Sequence, residues 1–98
     1  MDADLETIKN RFRDAASVIF TSLYDEFMRS TSNLDRTKDE NVFRQLQGRY
    51  NKELEKRLNE KASAILGAFE GNKAQLSHHL AQRIKEMTAE FLVKARSM

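Results

Sequence analysis

The chain has no cysteine, no proline and no tryptophan, and only three glycines in 98 residues. Without cysteine there is no disulfide framework, no thiolate nucleophile and no thiolate metal site, a composition that suits a reducing compartment. Without proline nothing forces a break inside a helix, and the few glycines leave little material for tight turns. β-Branched residues are sparse and never alternate over a strand's length, so no sheet is expected. No stretch approaches the roughly 18–20 apolar residues of a membrane span. The start, MDADLETIKN, is acidic and lacks the basic, then apolar, pattern of a secretory leader. The expectation from these features is a cytoplasmic protein.

What is present is charge at helical spacing. A third of the residues are charged, yet the net charge is only +2. The first half, to Arg49, has eight basic and nine acidic residues, and the second half nine and six. That balance is too even to imply a polyanionic partner.

Apolar residues recur with the 3.6-residue period of amphipathic helices. Leu5, Ile8, Phe12, Ala15, Ala16, Ile19, Leu23 and Phe27 form one stripe over a helix expected at 2–29, with Asp2, Asp4 and Glu6 suiting its dipole at the start. Ser30–Asn33 reads as the loop that ends it. A second helix, about 38–70, opens on Thr37-Lys38-Asp39-Glu40, the pattern of a capping box. Its stripe is Phe43, Leu46, Tyr50, Leu54, Leu58, Ala62, Ile65 and Phe69. Between Asn51 and Lys61 only Leu54 and Leu58 are apolar, and Glu53–Arg57 is a favourable i,i+4 pair. That segment is expected to be a solvated helix with a narrow buried stripe.

Gly71 is the decisive position. Glycine just past a helix end, followed by Asn72 as N-cap with Gln75 three residues on, describes a corner leading into a third helix, 73–96. The stripe nevertheless keeps its phase through Leu76, Leu80, Ile84, Met87, Phe91, Ala95 and Met98. The alternative is one continuous helix over 38–96, roughly 90 Å long, which helix one covers only in part and which requires an elongated dimer. Matched helix lengths, roughly 36–46 Å, favour the corner. The fold expected is therefore all-α: a single domain of three long amphipathic helices in an antiparallel bundle, with a second copy able to complete it.

Catalytic chemistry finds no foothold in the pattern. His78 and His79 are adjacent, so on a helix they point about 100° apart and do not readily share an ion. There is no HExxH, no phosphate-cradling glycine loop, and the carboxylates alternate with Lys and Arg as on a solvated face. No catalytic residue, cofactor or metal site is expected. Two other readings have some basis. The cations Lys9, Arg11 and Arg13, and Arg44, Arg49, Lys52, Lys56, Arg57 and Lys61, suggest nucleic-acid association, although interleaved glutamates dilute the second group. Amphipathic helices suggest a membrane surface, but acidic residues share their polar faces.

The reading the pattern favours is a non-enzymatic protein–protein interaction module: an adaptor, assembly factor or small chaperone whose partner is another protein or a second copy. Its candidate contact is Phe20, Tyr24 and Met28, an i, i+4, i+8 ridge beside the stripe of helix one. Aromatic and methionine side chains are enriched at interface centres, and helix-in-groove recognition uses anchors so spaced. The competing explanation is that the ridge packs on the third helix.

Overall fold

A computed structural model describes residues 2–35 and 37–96, with side chains from Leu5 onward. Three helices follow one another, α1 (Asp2–Thr31), α2 (Glu40–Ala68) and α3 (Lys73–Arg96). They form an antiparallel bundle, a rod 54 Å long and 19 by 18 Å across. α1 and α3 run parallel, and α2 returns between them. The expected Met98 and the side chains of Asp2 and Asp4 lie outside the described residues.

The core follows the apolar stripes. Phe12, Ala16, Leu23 and Phe27 of α1, Leu54 and Leu58 of α2, and Leu76, Phe91 and Ala95 of α3 are essentially inaccessible to water. Burying side chains of this size contributes about 1.5–3 kcal/mol each for the larger ones. α2 shows the core only a narrow stripe in its charged middle, as expected. Lys52, Glu55, Lys56, Arg57, Asn59 and Glu60 are exposed, and Glu53 takes the Arg57 Nε–H at 3.0 Å.

The first connection is made differently from the sequence expectation. α1 runs on to Thr31, whose buried hydroxyl donates to the Phe27 carbonyl at 2.8 Å and so satisfies itself within the helix. The capping box at Thr37–Glu40 does not form: the N-cap of α2 is Asp39, without a side-chain cap bond. The Asp35 carboxylate accepts instead from the Thr37 and Lys38 amides, at 2.8 and 3.2 Å, and Asp39 Oδ2 accepts from the Asp35 amide at 3.0 Å. The Thr37 amide thus goes to Asp35 in place of the Glu40 carboxylate that accepts it in a capping box. Glu40, freed from capping, pairs with Arg44 at 2.6 Å.

The continuous helix over 38–96 is not formed. α2 ends at Ala68, and Phe69 is extended, with φ −81° and ψ 129°. Asn72 Oδ1 then accepts the Gln75 amide at 3.0 Å and starts α3, as the corner reading required. Gly71 does not have the left-handed backbone expected of a glycine past a helix end. Its role is steric. A Cβ there would press into the Phe69 ring, 2.7 Å from Cε2, so only glycine lets that ring fold back over the corner.

Two amides lie on the seam face of α2 among the apolar residues. Gln47 is buried and its Nε2 reaches the Leu92 carbonyl of α3 at 3.4 Å. Asn51, one turn on, keeps its Oδ1 shut from water with no partner among the described residues. Buried amides weaken a seam but discriminate between registers. Sliding α3 by one turn would remove the contact Gln47 has.

Candidate protein-binding edge between α1 and α3

The ridge Phe20–Tyr24–Met28 lies where α1 meets α3, and the three residues differ in how far they are covered. Phe20 is 7% exposed, Tyr24 is half-buried, and Met28 is 39% exposed. The cover comes from α3. The Phe91 ring stands edge-on to Phe20 and to Tyr24, with centroids 5.6 and 6.1 Å away. Phe20 and Tyr24 stack nearly parallel along α1, 6.3 Å apart. Such offset and edge contacts suit the aromatic quadrupole. The third helix therefore packs on the first two members of the ridge and leaves the last the most exposed of the three.

Lys94, one turn beyond Phe91, completes the arrangement. Its ammonium lies 5.4 Å from the Phe20 centroid and 5.8 Å from that of Tyr24. Both distances fall within the range of a cation–π contact. The side chain is a charged cover over two rings, with its hydrocarbon stem along apolar surface and its head in water. Periodicity assigned Phe91 to the core but gave no reason to couple Lys94 to the ridge. The usable signal is that residues three apart on α3 share a flank.

The same edge continues toward the other end of the rod as a charged trough of about 510 Å³, lined by Lys9, Phe12, Arg13, His79, Leu80, Gln82, Arg83 and Glu86. Arg83 pairs with Glu86 at 3.3 Å, and Arg13 lies 3.9 Å from Asp14. These pairs are solvent-exposed and contribute little to stability. Phe12 is buried at the floor of the trough, as its place on the stripe implied. The edge thus has two characters: charged beside the first half of α1, aromatic and apolar beside the second.

Other sequence features are distributed around the rod. His78 and His79 are both exposed, with ring centroids 6.2 Å apart. No group of three or more potential metal ligands exists among the described residues. No described helix is long and apolar enough to cross a membrane. Among the cations of α2, Arg57 is held by Glu53 and Arg44 by Glu40, while Arg49, Lys52 and Lys56 are exposed. Val18, Val42 and Val93 are exposed singly, one on each helix, which needs no special explanation. Concavities between the helices are shallow troughs lined largely by charged and polar side chains. No protein-family model matches the chain, and neither a curated protein nor a solved structure matches it.

Proposed function

We propose that this chain is a non-enzymatic helical interaction module, an adaptor, assembly factor or small chaperone, that engages apolar helical surface of a protein partner or of a second copy. The contact is the aromatic half of the α1–α3 edge. The observation that carries this reading is the grading of one continuous ridge, from Phe20, sealed into the core, through half-buried Tyr24 to the more exposed Met28. A ridge so built has a rigid root and an accessible tip. Its aromatic anchor is held in place before binding, which lowers the ordering cost of association.

Lys94 gives the edge a means of adapting. Swinging its stem away uncovers the Tyr24 ring, and exposed cation–π contacts contribute only about 0.5–1 kcal/mol. An incoming apolar side chain can replace that contact. Methionine, unbranched and polarisable, accommodates partners of differing shape.

The test is a chain carrying Tyr24→Ser and Met28→Asp, substitutions at the two accessible ridge positions. Far-UV circular dichroism and thermal melting establish that the bundle persists. Association is read by sedimentation over a concentration series and by photo-crosslinking from a benzophenone at position 28 in cell extract. The reading requires a defined crosslinked product or a concentration-dependent mass, lost in the double variant. A strictly monomeric chain with diffuse crosslinking, unchanged by the substitutions, refutes it.

A further inference from the structure

A second surface is independent of that edge: the outward face of α2 around Gly48. Gly48 lies in the middle of a 29-residue helix, where glycine is less favourable than alanine. The fold itself does not require it, because a Cβ there would meet nothing within 4 Å. Its lack of a side chain opens a gap in the ridge between Arg44 and Lys52, one turn to either side. The result is a shallow, open depression on the surface of this one helix, lined by Arg44, Gln45, Gly48, Arg49, Lys52, Glu53 and Lys56.

The charges around the gap are not balanced within the chain. Glu40 is taken by Arg44 and Glu53 by Arg57, whereas Arg49, Lys52 and Lys56 make no ion pair among the described residues. These three cations lie at i, i+3 and i+7, one stripe roughly 11 Å long. A helix with carboxylates at the same spacing matches them charge for charge. The gap at Gly48 lets the backbone of such a helix approach more closely than a side chain would.

Building on the interaction-module reading, we propose that this face docks an acidic helix of a partner protein. The narrowness of the stripe selects a helix over a nucleic acid. Glu53 and Glu60 flank it on one side and Glu55 on the other. A duplex carries a charge for every 1.7 Å or so of its axis, on two strands, and would set phosphates against those carboxylates. A partner helix needs only the strip between them. Electrostatic complementarity of this kind sets orientation and speeds association, and it weakens with salt.

The experiment measures fluorescence polarisation of two labelled alanine-based helical peptides against the full chain at low ionic strength. In one peptide glutamates recur at i, i+3 and i+7 along one face; in its isomer the same glutamates are spread around the helix. The patterned peptide is expected to bind at least about tenfold more tightly than the isomer, a difference of about 1.4 kcal/mol. R49E/K52E/K56E should abolish that binding. G48L, which fills the gap without changing charge, should weaken it about tenfold, with helicity retained in both variants. Equal affinity for the two peptides, no effect of G48L, no binding of either peptide, or tighter binding of a duplex oligonucleotide each overturns the proposal. The Tyr24→Ser, Met28→Asp chain should bind the patterned peptide as the parent does, so failure at the α1–α3 edge and failure at Gly48 are read separately.

Discussion

At one end of the rod the second half of α1, the first half of α2 and the last turns of α3 interlock through rings. Phe27 stands edge-on to Phe43, Tyr50 and Phe91, at 5.4, 5.9 and 5.9 Å, and so touches an aromatic of each other helix. At the opposite end the side chains are Leu5, Ile8, Ile65, Leu66 and Phe69, all only half-buried around a fully buried Leu76. A trough of about 440 Å³ between α1 and the α2–α3 corner leaves that end open. The difference is that directional ring contacts fix one arrangement at the first end, while the half-buried and mostly aliphatic side chains at the second pack without such a constraint. The candidate edge belongs to the fixed end. A binding ridge gains from a root that does not move.

The largest effect expected is at Phe27. Phe27→Ala removes a ring in contact with both other helices and should cost about 3–5 kcal/mol, measured by urea unfolding. Ile65→Ala at the open end removes a side chain already half in water and should cost about 1–2 kcal/mol. Comparable losses at the two sites would mean that the bundle is uniformly stable along its length. Hydrogen exchange sharpens the same contrast. Amides of α1 near Phe20–Phe27 should exchange only through global unfolding, and those near Ile8 and Ile65 through local opening.

The all-α architecture could be read from the chain because the stripes of α1 and α3 keep helical period without interruption. Every α3 residue from Leu76 to Ala95 assigned to the stripe is buried. The corner at Gly71 was visible as one of two continuations, and Asn72 capping decides between them. The capping at the start of α2 was missed for one reason. The pattern T-K-D-E specifies which groups can cap but not which of them will, and Asp35, two residues upstream, takes the Thr37 amide that Glu40 accepts in the box. Gln47 was missed because a polar residue on a wheel gives no warning that a neighbouring helix offers a carbonyl. At the candidate edge, spacing placed Phe20, Tyr24 and Met28 on one line. The unequal cover along that line depends on where Phe91 and Lys94 of α3 reach it, which is a property of packing between residues more than sixty positions apart in the chain.

Gly71 tests how much of the open end's order comes from the corner. Gly71→Ala forces the Phe69 ring off the position it occupies, at a cost of about 1 kcal/mol. The ring is the mobile partner, so the cost should fall sharply when Phe69 is also changed to Ala. A double-mutant cycle by urea denaturation should show coupling of at least about 0.5 kcal/mol. Additive losses would mean that the glycine serves the backbone and not the ring.

The smallest effect separates the two roles of Tyr50 at the fixed end. Its ring packs on Phe27, and its hydroxyl reaches Ser30 Oγ at 2.9 Å, a contact exposed to solvent. Water competes for both hydroxyls, so the hydrogen bond contributes at the low end of the usual range of about 0.5–1.5 kcal/mol. Tyr50→Phe keeps the ring and loses only that bond, and it should lower stability by about 0.5 kcal/mol. Ser30→Ala should have the same effect and add nothing to the first change. Tyr50→Leu, which keeps apolar volume but loses the edge-on contact with Phe27, should cost more than Tyr50→Phe by about 0.5–1.5 kcal/mol, the increment of an aromatic pair. If the two Tyr50 variants are equally stable, the rings act only as apolar bulk. The contrast between the ends would then reduce to how much surface each one buries.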